Sequence, residues 1–268
     1  MLKCIKERVL HYIRVYIGFV QTCFIEAMTF RTHFFLLIIM DLFFYFSTIA
    51  TIDIIFDHVA TIGLWGRYEM LFFVSVMLAI NQLHMTFISE SFWELSLTIR
   101  TGLLDFVLLK PIGTIFSVFF RYFRPGSSLN MFATWSMVIY YGIQVQLSWA
   151  AWIILPFVVL SGFLLAAGME MIIACSMFWL LEGNAINFLR LELQQLARWP
   201  DFIYGTLVRR VLTVFFPVLL VGNAPVRFIL NFQDWRPLLG LGIALIIVWS
   251  LLGVVWKRAL NAYESASS

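Results

Sequence analysis

Four polar side chains interrupt the long apolar runs of this sequence: Asp41, Asn81, His84 and Glu170. Carboxylates and imidazoles are the groups that move protons near neutral pH, so chemistry is sought here first. No chain of ionisable residues joins these positions through the full depth of the molecule, which argues against a proton relay. His84 with Asn81 reads as packing between helices, because two ligands without a neighbouring Cys or carboxylate leave a coordination sphere incomplete. No metal site and no catalytic residue are expected. The signatures H-E-x-x-H and G-x-S-x-G are absent, and no G-x-x-x-x-G-K-[S/T] loop exists to cradle phosphates. Cys4, Cys23 and Cys175 are scattered and support neither a disulfide framework nor a zinc site.

Composition says what surrounds these groups. Hydrophobic residues make up 62% of 268 and charged residues 12%, against about 45–50% and about 25% in soluble domains. Mean hydropathy is +0.92. A single core of this size cannot hide so much apolar surface from water. The chain is expected to be an all-α polytopic membrane protein; disorder is excluded, and a net charge of only +3 gives no nucleic-acid partner.

A bilayer core takes about 20 apolar residues as helix. Six runs qualify: 34–56, 70–89, 129–147, 149–181, 208–221 and 238–256, predicting six transmembrane helices. The fourth is longer than needed and invites a tilt, or a break near Pro156 or Gly162. The fifth is short, contains Pro217, and leads through Gly222, Asn223 and Pro225 to a second short apolar stretch at 228–232. That pattern predicts a broken or re-entrant element between spans five and six, marked by Pro217, Asn223 and Pro225.

With both ends cytoplasmic, fifteen of the 18 Lys and Arg fall inside, and only Arg67, Arg227 and Arg236 fall outside. The first thirty-odd residues lack the apolar segment and cleavage site of a signal peptide. Ile5, Val9, Ile13, Tyr16, Ile17 and Val20 recur at helical spacing with Lys3, Lys6, Glu7 and Arg14 elsewhere on the wheel. Residues 1–33 therefore predict a basic amphipathic helix at the cytoplasmic interface, an elbow into a membrane domain spanning 34–268.

Between spans two and three, residues 90–124 form a long inside loop. Phe92, Leu95, Ile99, Leu103 and Phe106 mark one apolar helical face, with Glu90, Glu94, Arg100 and Asp105 on the polar side. Gly102 interrupts this helix, and Pro111 prevents Lys110 from continuing it comfortably. Such a surface outside the bilayer is suited to a partner, the alternative being another interfacial helix lying on lipid. A second cytoplasmic amphipathic helix is predicted between spans four and five, from Leu189, Leu193 and Leu196. Within the spans, Asp41 and Glu170 either line a path or make structural hydrogen bonds. Tyr140 and Tyr141, with Trp135, form either a wall for an amphipathic substrate or an interfacial aromatic belt.

Arg100-x-Gly102-x-x-Asp105 followed by Leu108-Leu109-x-Pro111 resembles the motif after the second span in membrane subunits of type-2 ABC exporters, closest to a branch whose permeases are encoded as a pair beside an ATPase. The six spans, amino-terminal helix and proline-bearing break are similar too. The resemblance implies a bacterial inner-membrane permease that forms half of a translocation path. It makes the loop a coupling helix docked on separate ATPase subunits, two per transporter, through Glu94, Arg100, Gly102, Asp105, Lys110 and Pro111. ATP and Mg would be bound by those subunits, with no cofactor in this chain, and a second permease, similar or identical, would complete the path. Leu160-Ser161-Gly162-Phe163 echoes an ABC signature but lies inside a membrane run, where no nucleotide reaches. The alternatives are an ATP-independent carrier or channel, or a non-transporting scaffold.

Overall fold

A helix that is apolar on every side must be surrounded either by other helices or by lipid, and both outcomes occur here. The computed structural model describes residues 2–180 and 182–263, with side chains from Glu7 onward. Met1, Leu181 at the end of the expected fourth run, and residues 264–268 lie outside the described residues. So do the side chains of Lys3, Ile5 and Lys6 on the expected amphipathic face. Among the described residues every regular element is a helix.

The chain opens with α1 (Leu2–Thr29), which turns at Phe30 into α2 (Arg31–Phe56). A short loop leads to α3 (Arg67–Phe87), whose start is capped by Glu69 Oε2 accepting from the Gly66 N–H at 2.8 Å. α4 (Ser89–Arg100) extends α3, and α5 (Leu103–Leu108) and α6 (Thr114–Phe119) complete the loop. Then come α7 (Pro125–Gln144), α8 (Trp149–Ala174), α9 (Gly183–Ala197), α10 (Thr206–Val214), α11 (Leu220–Leu230) and α12 (Arg236–Ala262).

Four segments are long and apolar enough to cross a membrane: Arg31–Phe56, Arg67–Arg100, Trp149–Phe178 and Arg236–Ala262. A fifth is added if Thr206–Val214 and Pro217–Leu230, bent by 82°, count as one. α3 is the central post, with 78% of its most apolar window buried, while α2 and α12 stand at the periphery with 11% and 22%. α2, α7, α8 and α11 pack around α3. The expected third run forms α7 but is not among the apolar four, because polar residues such as Ser127, Asn130 and Thr134, which are buried, lower its hydropathy.

Several sequence expectations change here. α8 runs unbroken through Pro156 and Gly162, its first turn closed by Ser148 Oγ accepting from the Ala151 N–H. The run 208–221 is not one helix: it bends at Phe215–Phe216, and Pro217 opens a new turn. α9 is not a surface helix. A side chain on Gly183 would run into Ser96, Asn187 Nδ2 donates to the Phe92 carbonyl at 3.1 Å, and Arg190 and Gln194 reach Glu170. Arg198 lies over Phe44, and Phe202 packs edge-on against Trp65. These partners follow α4 and α3 backwards, so residues 183–202 run antiparallel to them along the length of the bundle. Phe188 and Leu189 face outward with Asn184, Glu192 and Gln195, while Asn187 and Arg190 are buried beside Ile186 and Ala197.

Small residues set the closest approaches, as expected where lipid removes the hydrophobic drive between helices. Pro225 has no N–H to give the Val221 carbonyl one turn earlier, and that oxygen lies where a Cβ on Gly162 would stand. Gly162 therefore lets α8 press directly on the α11 backbone. Gly162→Leu should cost about 1–3 kcal/mol by overpacking, lowering the melting temperature of the purified protein by about 2–12 °C. Gly253→Leu, which faces open space on α12, should leave it unchanged.

Candidate functional site

Three helices meet at one carboxylate. Glu170 on α8 is 4% exposed; His84 Nε2 on α3 lies 2.8 Å from its Oε2, and Arg190 Nη1 on α9 donates to the same oxygen at 2.6 Å. Gln194, one turn beyond Arg190, donates to Oε1 at 2.6 Å. Phe92 forms the floor: His84 stacks on it at 5.9 Å with an interplanar angle of 8°, and the Arg190 guanidinium sits 4.3 Å from its centroid. Arg190 is fully buried. The guanidinium balances the carboxylate, so the cluster locks α3, α8 and α9 together with charge compensated internally.

This cluster forms one end of a cavity of about 440 Å³ whose other walls are largely apolar. Phe44, Met77, Phe215, Phe216 and Leu251 contribute to them, and Arg198 lines the cavity as well. Pro217 is on its wall; Tyr140 and Tyr141 are not. Those two tyrosines meet edge-on at 5.0 Å on α7, with Tyr140 largely exposed and Tyr141 packed against the core. Asp41 also lies off the cavity. It accepts from Ser127 Oγ at 3.2 Å and Asn130 Nδ2 at 3.4 Å, joining α2 to α7. Nearby, Tyr45 bonds to Gln82, which reaches the Ser127 carbonyl and draws in α3. Among the described residues, no group of three or more His, Cys, Asp and Glu is placed to hold a metal ion.

Asn223 ties α11 to the turn after α9. Its Nδ2 donates to the Leu219 carbonyl at 2.9 Å, and its Oδ1 accepts from the Asp201 N–H at 2.9 Å. Arg227 Nη2 closes on Asp201 Oδ1 at 2.5 Å. Pro225 is buried within α11.

The 90–124 loop folds as a knuckle. Phe92, Leu95 and Ile99 are buried along α4, but the expected single apolar face does not continue into Leu103 and Phe106. Gly102 takes a left-handed φ of 72°, which a side chain disfavours, and the turn shifts the helical phase. Leu104 and Val107 go inward, leaving Leu103, Phe106 and Leu109 exposed at 51%, 68% and 80%. Arg100 and Pro111 are exposed; Glu94, Asp105 and Lys110 are half-buried. Lys110 lies 5.7 Å from the Phe19 ring, and burial, with the charge of Arg121, holds its amine below the usual lysine range. Tyr12 of α1 accepts from the Gly113 N–H at 2.8 Å, and Trp256 of α12 donates to Thr114 Oγ1 at 2.8 Å. The knuckle is thus fastened to both ends of the chain.

Arg190 and Gln194 are residues that sequence reasoning put on the polar face of a short amphipathic helix, whereas the structure turns both onto Glu170. The signal was their spacing: Asn187, Arg190 and Gln194 form a polar stripe one side of a helix wide, which could equally face an interior partner.

A family model described as ABC-2 family transporter protein matches residues 35–267. Comparisons with curated proteins and with solved structures give no match. The matched stretch takes in the buried cluster, the cavity and the knuckle, and with the long apolar helices it makes this an integral membrane protein with a transport role. The chain belongs to the ABC-2 family of transporter proteins.

Proposed function

We propose that this chain is the membrane-spanning half of an ATP-driven exporter, with six crossings: α2, α3 with α4, α7, α8, α9 and α12. The fifth crossing is α9, not the run 208–221. α9 turns Asn187 and Arg190 inward and Phe188 and Leu189 outward, which suits lipid, where every buried polar group needs an internal partner; Asn184, Glu192 and Gln195 are exposed on it as well. α10 and α11 then dip in from the outer face and return to it, as a re-entrant element. Both termini remain cytoplasmic. With this assignment Arg209 and Arg210 move outside and Arg190 and Arg198 lie within the bundle, leaving eleven basic residues inside and five outside, still a clear bias.

The observation that carries the coupling role is the knuckle. Three neighbouring apolar side chains, Leu103, Phe106 and Leu109, project from a short helix beside Arg100, on a base tied to α1 and α12. A rigid apolar tip with a charged edge matches what a groove on a separate ATPase subunit needs. Glu94, Asp105, Lys110 and Pro111 frame that contact. Nucleotide and Mg belong to the two ATPase subunits, whose closure moves the knuckle and the helices continuous with it. A second permease chain, similar or identical, is supported by Glu192: it is exposed on α9 with no ion-pair partner among the described residues, and a carboxylate at membrane depth calls for one.

The crossing is tested by placing a single cysteine at Gly205 in a cysteine-free chain and labelling intact cells with a membrane-impermeant maleimide. Labelling without permeabilisation is expected; labelling only after permeabilisation would return α9 to the cytoplasmic side. Tagged chain purified from its native membrane should bring down an ATPase of separate sequence, and a particle without one would remove the exporter reading.

A further inference from the structure

The cavity is mostly apolar, yet its charges do not cancel. Glu170 is matched by Arg190, whereas the Arg198 side chain has no ion-pair or hydrogen-bond partner among the described residues; its Cζ lies 5.2 Å from the Phe44 ring, and the Tyr45 hydroxyl is near enough to feel its charge. An arginine stays charged at any physiological pH, and Arg198, part-buried beside an apolar wall that opens outward at Phe215, Phe216 and Leu251, gains from a counter-charge there. One aromatic ring gives a weaker substitute. The complement to Arg198 is therefore an anion, and the walls formed by Met77, Phe215, Phe216 and Leu251 require that anion to carry an apolar body. A cavity of 440 Å³ is in the range of small-molecule sites.

We propose that this cavity binds an anionic amphipath, a carboxylate, phosphate or sulfate on an acyl or aryl body, with its head on Arg198 and its body against the apolar wall. The same chemistry describes an anionic phospholipid held in place and a cargo molecule in transit. The cargo case rests on the exporter reading; the binding itself does not.

The test uses the purified protein, with whatever subunits accompany it, in phosphatidylcholine nanodiscs. It is photolabelled with a diazirine-bearing dodecanoate and with the matching dodecanol, and labelled peptides are mapped by mass spectrometry. Dodecanoate should label the peptides carrying Met77 and Phe215–Phe216 about tenfold more in the native protein than in Arg198→Gln, the effect of one charge-assisted contact. Arg198→Lys should keep most of that labelling, and dodecanol should label native protein and Arg198→Gln alike. Leu251→Trp, which fills the cavity without touching its charge, should also abolish dodecanoate labelling, so the result does not hang on one variant folding. Equal dodecanoate labelling in native protein and Arg198→Gln overturns the proposal, as does labelling that survives Leu251→Trp. An anionic phospholipid extracted from native protein but not from Arg198→Gln identifies the resident-lipid source. Dodecanoate that raises ATP hydrolysis in the native complex but not in Arg198→Gln identifies cargo. Arg198-dependent labelling in a particle without an ATPase keeps the site and removes only the exporter reading.

Discussion

Arg190→Met is expected to lower the melting temperature of the purified protein by about 10 °C. The reason is the carboxylate left behind. Arg190 and Glu170 are 0% and 5% exposed at their side chains and 2.6 Å apart. Removing one member of such a buried pair costs about 3–5 kcal/mol, and each kcal/mol shifts the midpoint of a protein this size by about 2–4 °C. His84 and Gln194 would remain on Glu170, which keeps the loss toward the lower end. The double variant Glu170→Met, Arg190→Met should recover most of the stability, since a buried pair exchanged for apolar side chains is often neutral. Fluorescence-detected size exclusion after a temperature ramp reads both. An unchanged midpoint for Arg190→Met would mean that the three helices do not depend on this cluster.

Phe106→Asp should do the opposite: break the assembly and spare the fold. Phe106 is 68% exposed, so a charge there disturbs little within the chain. If it inserts into an ATPase groove, it is the kind of aromatic anchor whose loss costs about 2 kcal/mol or more, about 30-fold in affinity. Recovery of the ATPase on the tagged chain should fall accordingly, with the melting profile of the permease unchanged. Leu104→Asp is the control. Leu104 is fully buried two positions earlier, and an unpaired carboxylate there should destabilise the chain itself. Gly102→Val, forced into a left-handed conformation at φ 72°, should give a milder version of the Phe106 defect at a cost of about 1–2 kcal/mol. ATPase recovery that ignores Phe106 would remove the docking role from the knuckle.

The contrast between Leu104 and Phe106 also shows where sequence periodicity stops working. Phe92, Leu95 and Ile99 were readable as a buried ridge because one uninterrupted helix keeps its phase. A single left-handed residue at Gly102 changes that phase by an amount no spacing rule supplies. The knuckle was therefore located by its residues, but its exposed face was assigned to the wrong side chains.

The membrane class and the all-helical architecture were determined by the sequence alone, because the bilayer dictates composition and length locally, run by run. That a break occurs in the stretch 208–232 was readable for the same reason, but its position was not: α11 runs through Gly222, Asn223 and Pro225, and the chain bends earlier, at Phe215–Phe216 before Pro217. The tertiary structure decided the rest. The polar residues of α9 read in sequence as a surface face, and only packing shows that Asn187, Arg190 and Gln194 turn inward to meet Phe92 and Glu170. Hydropathy weighs each residue against lipid or water, whereas a polar side chain answers to its partner. Partners 86 residues apart, such as His84 and Glu170, are set by how helices cross, which no local pattern encodes.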